Sequence, residues 1–327
     1  MTDVRAFRAL RYDPARVALD RVVVPPYDVI APDERAVYWD RDPHNAIRLE
    51  LTRDAADEAS TDYREVAQTL AAWQQDGALR RDARPAVYAL RQRFTAPDGS
   101  EHMRDGFFAL LHLEDYARRI VRPHERTLSG PKADRLKHLR ATAANLSSVF
   151  LLYEDPQRAL NALLAARLDA GPAAVAHDAA GVEHRLVPVA DADGLDALRG
   201  FLADRPVVIA DGHHRYETAL AYRDERRARA GGEAKDAPFE FALGYFANAY
   251  APGTLLLPIH RVVREVPAPD DAGWTARLPG WSQQRVSLSG VDAVSALLAR
   301  HLAPLADRHA FAADDGSGVV RVFSRPR

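Results

Sequence analysis

The chain has 327 residues, a formal net charge of −2, 47% hydrophobic and 28% charged residues, and no cysteine. This length allows two packed cores or one large core with additions. A charge near zero gives no overall field towards nucleic acid or an anionic membrane. The lack of cysteine excludes disulfides, thiol catalysis and Cys-based metal sites. The N-terminus lacks the apolar core of a signal peptide, and no apolar run reaches the roughly 20 residues of a membrane span. We therefore expect a cytoplasmic protein without a membrane partner.

The predicted elements begin with a strand at residues 22–24, where three valines precede Pro25-Pro26. A second strand is predicted at residues 47–51 from alternating apolar residues. Helical spacing of apolar residues predicts a helix from residue 63 that stops before Gly77. A hairpin follows, with strands at residues 86–94 and 103–113 around a Pro-Asp-Gly turn.

The composition changes between residues 118 and 140, where eight Lys or Arg side chains stand against two acids. A helix is predicted there over residues 132–144, after Gly130-Pro131. An Ala-rich stretch at residues 159–180 predicts a helix and then a linker. We place a domain boundary in it, between residues 175 and 176, which gives an N-terminal part with the basic segment and a C-terminal part.

The C-terminal part opens with a strand–helix–strand–turn–helix unit. Its predicted segments are residues 185–189, 194–203, 207–210, 211–215 and 216–228. A strand at residues 254–258 and a hairpin at residues 309–323 complete the prediction. Strands and helices that alternate in this way indicate an α/β fold, of α+β type with a mixed sheet.

Asp211-Gly212-His213-His214-Arg215 joins a predicted strand to a predicted helix. Gly212 permits a positive φ, and the helix that follows offers free N–H groups and its positive dipole end, which suit an anion. Arg215 adds a planar fork that matches phosphate oxygens. Asp211 at the strand end could reach a ligand hydroxyl or a metal. In the alternative interpretation, Asp211 caps the helix and the other side chains are merely solvated.

The basic segment contains a second candidate site. His124 and Glu125 follow a predicted strand, and either could supply a general base. Lys132 and Arg135 lie three residues apart and therefore share one helical face, where they could hold phosphates. The alternative is a solvated basic helix.

Two further groups could line a substrate pocket. Tyr27 and Asp28 follow a rigid Pro-Pro turn, with Arg48 downstream, and His260 and Arg261 follow an apolar run. The alternatives are a packed tyrosine, a capping aspartate and an ordinary surface turn.

A zinc site built from histidines is a further alternative, since zinc sites combine His with carboxylates. Its ligands would come from His124, His213, His214 and His260. However, no His-x-x-x-His pair lies on a predicted helix, and adjacent histidines on a turn point in different directions. We therefore assign no protein metal site.

These stretches resemble the bacterial and archaeal family known as domain of unknown function 1015. The resemblance rests on Pro-Pro-Tyr-Asp-Val-Ile at 25–30, His-Glu-Arg-Thr at 124–127, Lys-Ala-Asp-Arg at 132–135, Ala-Asp-Gly-His-His-Arg-Tyr-Glu-Thr-Ala at 210–219 and Leu-Pro-Ile-His-Arg at 257–261. It covers most of the chain in the expected order, but the family label implies no reaction.

A second resemblance covers a shorter part of the chain and implies a reaction. Residues 183–225 resemble the phosphate-binding box of the ParB/sulfiredoxin superfamily, and free-serine kinases carry a nearly identical box. This resemblance implies a ParB/sulfiredoxin-like nucleotide unit within residues 176–327 that binds ATP or ADP, with Mg²⁺ accompanying the nucleotide. It also implies that Asp211 serves catalysis.

We therefore expect phosphoryl transfer from a nucleotide to a small hydroxylated metabolite, with free serine as the first candidate. The expected roles fall into three groups: catalysis by Asp211, Glu125 and His124; phosphate binding by Gly212, His213, His214, Arg215, Lys132 and Arg135; and substrate binding by Tyr27, Asp28, Arg48, Arg261 and His260. Two alternatives stay open, a phosphatase for a small phosphoester such as phosphoserine and a ParB-like nucleotide-sensing module. A nucleic-acid partner is not expected, because the chain is mildly acidic and shows no obvious helix-turn-helix.

Overall fold

A computed structural model describes residues 1–53, 62–96, 99–125, 127, 129–255, 261–263, 265, 267–287 and 293–327. The chain divides into two compact units, residues 1–256 and 257–327. The predicted boundary between residues 175 and 176 lies inside the first unit.

The first unit combines strands and helices along its whole length. Its strands are β1 (Val4–Arg5), β2 (Leu10–Tyr12), β3 (Leu79–Arg81), β4 (Val87–Thr95), β5 (Glu101–His112), β6 (Val121–Arg122), β7 (Val149–Tyr153), β8 (Ala174–His177), β9 (Glu183–Val189), β10 (Val207–Asp211) and β11 (Phe241–Asn248). Its α-helices are α1 (Leu19–Val22), α2 (Arg35–Arg41), α3 (Ile47–Glu50), α4 (Tyr63–Gln75), α5 (Ser129–Thr142), α6 (Ala159–Ala170), α7 (Ala192–Ala203) and α8 (His213–Ala230). Short 3₁₀ helices lie at Tyr27–Val29, Tyr116–Arg118 and Pro238–Glu240.

A mixed sheet forms the centre of this unit. Its strand order is β6-β10-β7-β11-β5-β4-β9-β8, and β1 also pairs with β5. The pairs β6–β10 and β7–β11 are parallel, and the others are antiparallel. The α/β class with a mixed sheet, as predicted, is therefore confirmed. Strands β2 and β3 form a separate antiparallel pair.

The main core lies against the sheet. Phe107 of β5 stacks on Phe246 of β11, with ring centroids 5.0 Å apart. Leu164 of α6 and Leu198 of α7 belong to the same buried cluster, as does Tyr216 of α8. Burial of such side chains drives the packing of these helices on the sheet.

Two strand predictions near the N-terminus are wrong. Val22 ends α1, the two valines after it have no regular structure, and residues 47–50 form α3. The side chain of Asn45 explains the helix, because its oxygen accepts a hydrogen bond from the N–H of Ile47 (3.1 Å) while its amide donates to the Arg21 carbonyl (2.7 Å). This local bonding outweighs the alternating pattern.

Other predictions in the first unit are confirmed. The helix expected from residue 63 is α4, and the expected hairpin is β4–β5, apart from turn residues 97 and 98, which lie outside the described residues. The strand–helix–strand–turn–helix unit is formed by β9, α7, β10 and α8. No helix of the described residues is long and apolar enough to cross a membrane.

The second unit contains α9 (Asp271–Arg277), β12 (Ser282–Ser287), α10 (Ala293–Leu297), a π-helical turn (Leu298–Leu302), a 3₁₀ turn (Ala303–Leu305), β13 (Arg308–Asp314) and β14 (Val319–Pro326). The three strands form an antiparallel sheet in the order β12-β14-β13. The C-terminal hairpin is therefore confirmed. The strand predicted at residues 254–258 begins in irregular structure, and residues 256–258 lie outside the described part of the chain.

Candidate active site

Three segments meet at one edge of the large sheet. Strands β6 and β10 are parallel, with Val121 opposite Val207, so their carboxyl ends reach the same edge. Strand β7 runs antiparallel to β10 and therefore begins at that edge. Open α/β sheets bind ligands beyond the carboxyl ends of their parallel strands. The chain topology thus brings the residues after β6, the residues after β10 and the residues before β7 together.

The turn after β10 has an irregular backbone. The pairing of β10 with β7 shifts register between Ile209 and Asp211, which marks a bulge. Gly212 then adopts a φ of +88°, and a Cβ at this position would lie 3.2 Å from the guanidinium of Arg215. The glycine is required here because other residues rarely adopt this conformation.

Helix α8 begins directly after this glycine. The N–H of Tyr216 donates to the carbonyl of Gly212 at 2.9 Å, so the N–H groups of residues 213–215 precede the helical ladder. These groups and the helix dipole make this end of α8 electropositive.

Asp211 and Arg215 form an ion pair beside the turn. Nη2 of Arg215 donates to Asp211 at 2.5 Å, while Nη1 donates to the carbonyl of Ser148. The Asp211 side chain is 57% exposed, whereas that of Arg215 is 15% exposed. Gly212 occupies the N-cap, and α8 has no side-chain cap, so the alternative interpretation of Asp211 as a helix cap is wrong.

His124, Glu125 and His213 form a second cluster at this edge. The backbone N–H of His124 donates to Nε2 of His213 at 3.3 Å, and Nδ1 of His213 lies 3.1 Å from Glu125 Oε1. The two imidazole rings meet edge to face at 4.5 Å. The His213 side chain is 1% exposed and that of Glu125 is 54% exposed. A buried imidazole thus holds a carboxylate that faces solvent.

The hydrogen bonds define the tautomers of both rings. Nδ1 of His124 lies 2.6 Å from the carbonyl of Ile209, which can only accept, so Nδ1 carries the proton. In neutral His213, Nε2 accepts from His124, and Nδ1 therefore donates to Glu125. Burial lowers the pKa of His213, and the nearby carboxylate of Glu125 only partly opposes this effect. His213 is thus neutral near pH 7 and orients Glu125.

Helix α5 packs along α8 and brings the basic segment to this side of the sheet. Lys132 Nζ donates to Glu217 at 2.9 Å, and the hydroxyl of Thr127 donates to the same carboxylate at 2.6 Å. Burial raises the pKa of Glu217, but these hydrogen bonds and the charge of Lys132 outweigh it and lower the pKa overall. Lys132 thus contacts a residue one turn into α8, the helix that begins after the glycine turn.

Arg135 is buried within α5. Its guanidinium donates to Asp134 at 2.7 Å and to the hydroxyl of Tyr63 at 2.8 Å, and it approaches Glu50 at 3.4 Å. The ring of Tyr27 covers it at 4.0 Å. These contacts fix the orientation of Arg135 without any ligand.

A cavity of about 50 Å³ lies between α5, α8 and the segment before β7. Its lining includes Tyr27, Glu50, Arg135, His138, Ser147 and Arg215. Both arginines expected to bind phosphate thus border one cavity, and Tyr27 forms part of its wall, as expected for a pocket residue.

The other residues that were expected to bind substrate do not line this cavity in the described part of the chain. Arg48 stacks on Trp39 at 4.2 Å and donates to its carbonyl at 2.7 Å. Asp28 lies in a 3₁₀ helix, and its side chain lies outside the described part of the structure. Arg261 is exposed and belongs to the second unit, and His260 lies outside the described residues. His214 is half-buried in the first turn of α8.

The ligand atoms of His124, Glu125 and His213 lie within 4.8 Å of one another, a spacing that a metal ion requires. A metal needs a lone pair from each imidazole. His213 presents Nδ1–H to Glu125, so metal binding would move that proton to Nε2 and break the bond from His124. The observed hydrogen bonds favour acid–base chemistry over a protein metal site.

Several site residues have no signal in the sequence. Glu50 accepts a hydrogen bond from Ser147, and His138 donates from Nε2 to the Leu49 carbonyl at 2.8 Å. Burial lowers the pKa of His138. Glu217 is the exception, because it lies two residues after the Asp-Gly-His-His-Arg box, and its position one turn into α8 could have indicated its contact with the basic helix.

Fold and site together define an α/β protein with a mixed sheet and a polar, partly buried site at one sheet edge. The chain belongs to the family described as protein of unknown function DUF1015, whose sequence model matches residues 4–281. No curated protein and no solved structure matches the chain.

Proposed function

We propose that the protein transfers a phosphoryl group from ATP or ADP to a small hydroxylated metabolite, with free serine as the first acceptor to test. One observation carries this proposal. The exposed carboxylate of Glu125 is held by buried His213 at the first turn of α8, where backbone N–H groups precede the helical ladder. A base thus lies beside an anion site.

Phosphate binding follows from the backbone after β10. Gly212 has no side chain that would block access to the turn, and the N–H groups of residues 213–215 can donate hydrogen bonds to an anion. Arg215 and Lys132 add positive charge at this edge, although each is paired with an acid. Phosphoryl transfer depends mainly on such positioning and charge neutralisation.

Proton transfer would fall to Glu125. His213 Nδ1–H fixes one carboxylate oxygen, so the other can accept the proton of the acceptor hydroxyl. The acceptor oxygen then forms a bond to the terminal phosphorus as the bridging P–O bond breaks, and the nucleotide leaves with one phosphate fewer. Asp211 lies beside the same turn, tied to Arg215, and would orient the reactants.

Magnesium fits this edge, since Asp211 and Glu125 offer exposed carboxylate oxygens, its usual protein ligands. When bound with the nucleotide, it would neutralise phosphate charge. The ParB-like resemblance of residues 183–225 supports the nucleotide, and the likeness of the box at residues 211–215 to that of free-serine kinases supports serine.

The test is to incubate purified protein with Mg²⁺, serine and either ADP or ATP, and to measure phosphoserine by mass spectrometry. We expect phosphoserine together with AMP or ADP in equal amount. Phosphoserine without nucleotide should release no phosphate, and release there would favour the phosphatase alternative. Nucleotide binding without turnover, across serine and related hydroxy acids, would favour the sensing module and overturn the proposal.

A further inference from the structure

We infer that the cavity between α5, α8 and the segment before β7 binds a small α-amino acid, a molecule with both a carboxylate and an ammonium group. The residues that line it include two arginines, Arg135 and Arg215, and one acid, Glu50. This set complements a zwitterion, because the guanidinium groups match a carboxylate and Glu50 matches an ammonium group. The role as acceptor pocket rests on the proposed phosphoryl transfer, whereas binding itself does not.

The contact between Arg135 and Glu50 is loose. Nη1 of Arg135 lies 3.4 Å from Glu50 Oε2, whereas charged N–H···O bonds are usually about 2.7–2.9 Å long. The same guanidinium holds Asp134 tightly at 2.7 Å. The edge of Arg135 that faces Glu50 therefore keeps bonding capacity that a ligand carboxylate can use.

The charged groups are held in place from behind. Asp134 and Tyr63 bind Arg135 on the side of α4, and the ring of Tyr27 covers its face. The Ser147 hydroxyl donates to Glu50 Oε1, which leaves Oε2 towards Arg135. Such support lowers the conformational cost of binding.

The size of the cavity restricts the ligand. A volume of about 50 Å³ is small, and it suits a small polar molecule better than a nucleoside. Arg215 borders the cavity and also contacts Asp211 of the turn after β10. A small ligand in the cavity thus lies next to the proposed phosphate site.

The first experiment uses the unaltered protein without nucleotide. Isothermal titration calorimetry with serine, ethanolamine and glycerate separates the two charges, since ethanolamine lacks the carboxylate and glycerate lacks the ammonium group. We expect serine to bind at least tenfold more tightly than either analogue. Two results would overturn the inference. One is equal affinity for all three compounds, and the other is no detectable binding of serine at about 10 mM, a concentration that reveals even a weak, millimolar dissociation constant.

The second experiment locates the site. Glu50→Gln keeps the hydrogen bond from Ser147 but removes the charge, so serine should bind at least tenfold more weakly while glycerate affinity stays within threefold. Glu154→Gln is the matched control, because Glu154 is exposed just after β7, at the opposite end of that strand. Unchanged serine affinity in a folded Glu50→Gln protein would mean that Glu50 serves only as an internal ion-pair partner.

The two proposals fail separately. Serine binding that depends on Glu50, without phosphoserine formation, would retain the cavity and reject phosphoryl transfer to serine. Phosphoserine formation that is indifferent to Glu50→Gln would retain the transfer and reject the cavity as its acceptor pocket.

Discussion

Two hydrogen-bonded side-chain pairs of the same sheet differ in how much of their acidic partner is exposed to solvent. On the β4–β5 hairpin, Arg91 donates twice to Asp105 at 2.7 Å, and the two side chains are 6% and 8% exposed. At the β6–β10 edge, His213 is equally buried, but its partner Glu125 is 54% exposed. In the first pair, both carboxylate oxygens of Asp105 accept hydrogen bonds from Arg91, whereas in the second pair the carboxylate of Glu125 is exposed to solvent.

The comparison shows that burial of charge does not by itself indicate a site. A buried ion pair whose hydrogen bonds are all made within the protein is consistent with a structural role. Removal of one partner leaves the other charge buried without compensation, which destabilises the fold. A half-exposed acid that is held by a buried neutral imidazole can instead exchange a proton with a ligand. The predictions below test this distinction from the largest expected effect to the smallest.

The largest effect is expected for Asp105→Ala. The change leaves Arg91 buried with only the largely exposed Asp169, at 2.6 Å, as a charged partner. We expect the free energy of unfolding to fall by about 3–5 kcal/mol, measured by urea denaturation. Asp169→Ala, the control, should cost less than about 1 kcal/mol. A loss below about 1 kcal/mol for Asp105→Ala would contradict the structural role of this pair.

Glu125→Gln should show the opposite pattern. The change keeps the shape and removes the base, so we expect turnover to fall on the order of 100-fold or more. The free energy of unfolding should change by less than about 1 kcal/mol, because this side chain is mostly exposed. Asp211→Asn should cost less activity, since Asp211 is already tied to Arg215. Turnover within threefold of the parent protein would reject Glu125 as the base.

Arg215→Ala tests the phosphate site. We expect nucleotide binding to weaken by about 1.5–3 kcal/mol, the range for a hydrogen bond to a charged group. Arg199→Ala on α7, whose guanidinium lies 3.9 Å from Asp196, is a control at a loosely paired exposed arginine. Affinities measured by calorimetry that match between the two variants would mean that Arg215 only orders the turn.

The smallest effect concerns pH. Burial lowers the pKa of His138 and of His213, so the unfolded chain binds these protons at a higher pH than the folded protein does. Stability should therefore fall as the pH drops below about 6.5, the unfolded value, and level off below the folded values. His138→Gln should reduce the loss of melting temperature between pH 7.5 and 5.5, roughly the histidine range. A loss equal to that of the parent protein would contradict the lowered pKa of His138.

Much of the fold could be predicted because several elements carry strong periodic patterns. Helix α4 buries Val66, Leu70 and Trp73 at helical spacing, and the β4–β5 hairpin alternates around a turn. Strand β11, which lies in the middle of the sheet, could not be predicted from the sequence. Most of its residues are buried on both faces, so its apolar run lacks the alternation by which a strand is recognised.

The sequence predicted the candidate site only where polar or charged residues come directly after a predicted strand. His124, Glu125 and the turn after β10 stand out because polar residues crowd a strand end. Glu50 could not be found, since it lies 85 residues from Arg135 and their contact depends on how α3 and α5 pack. Arg48, two residues before Glu50, was expected to bind substrate because of its charge, but it packs on Trp39.

The pairing of β6 with β10 determines the temperature at which the site loses its geometry. It consists of two residue pairs at the edge of the described sheet, yet it holds together His124 and His213, which are 89 residues apart in the chain. Short edge strands open at a lower free energy than the centre of a sheet. Detachment of β6 would separate the base from its imidazole while the rest of the sheet stays folded. Inactivation on warming should then be reversible and should precede the loss of the circular dichroism signal.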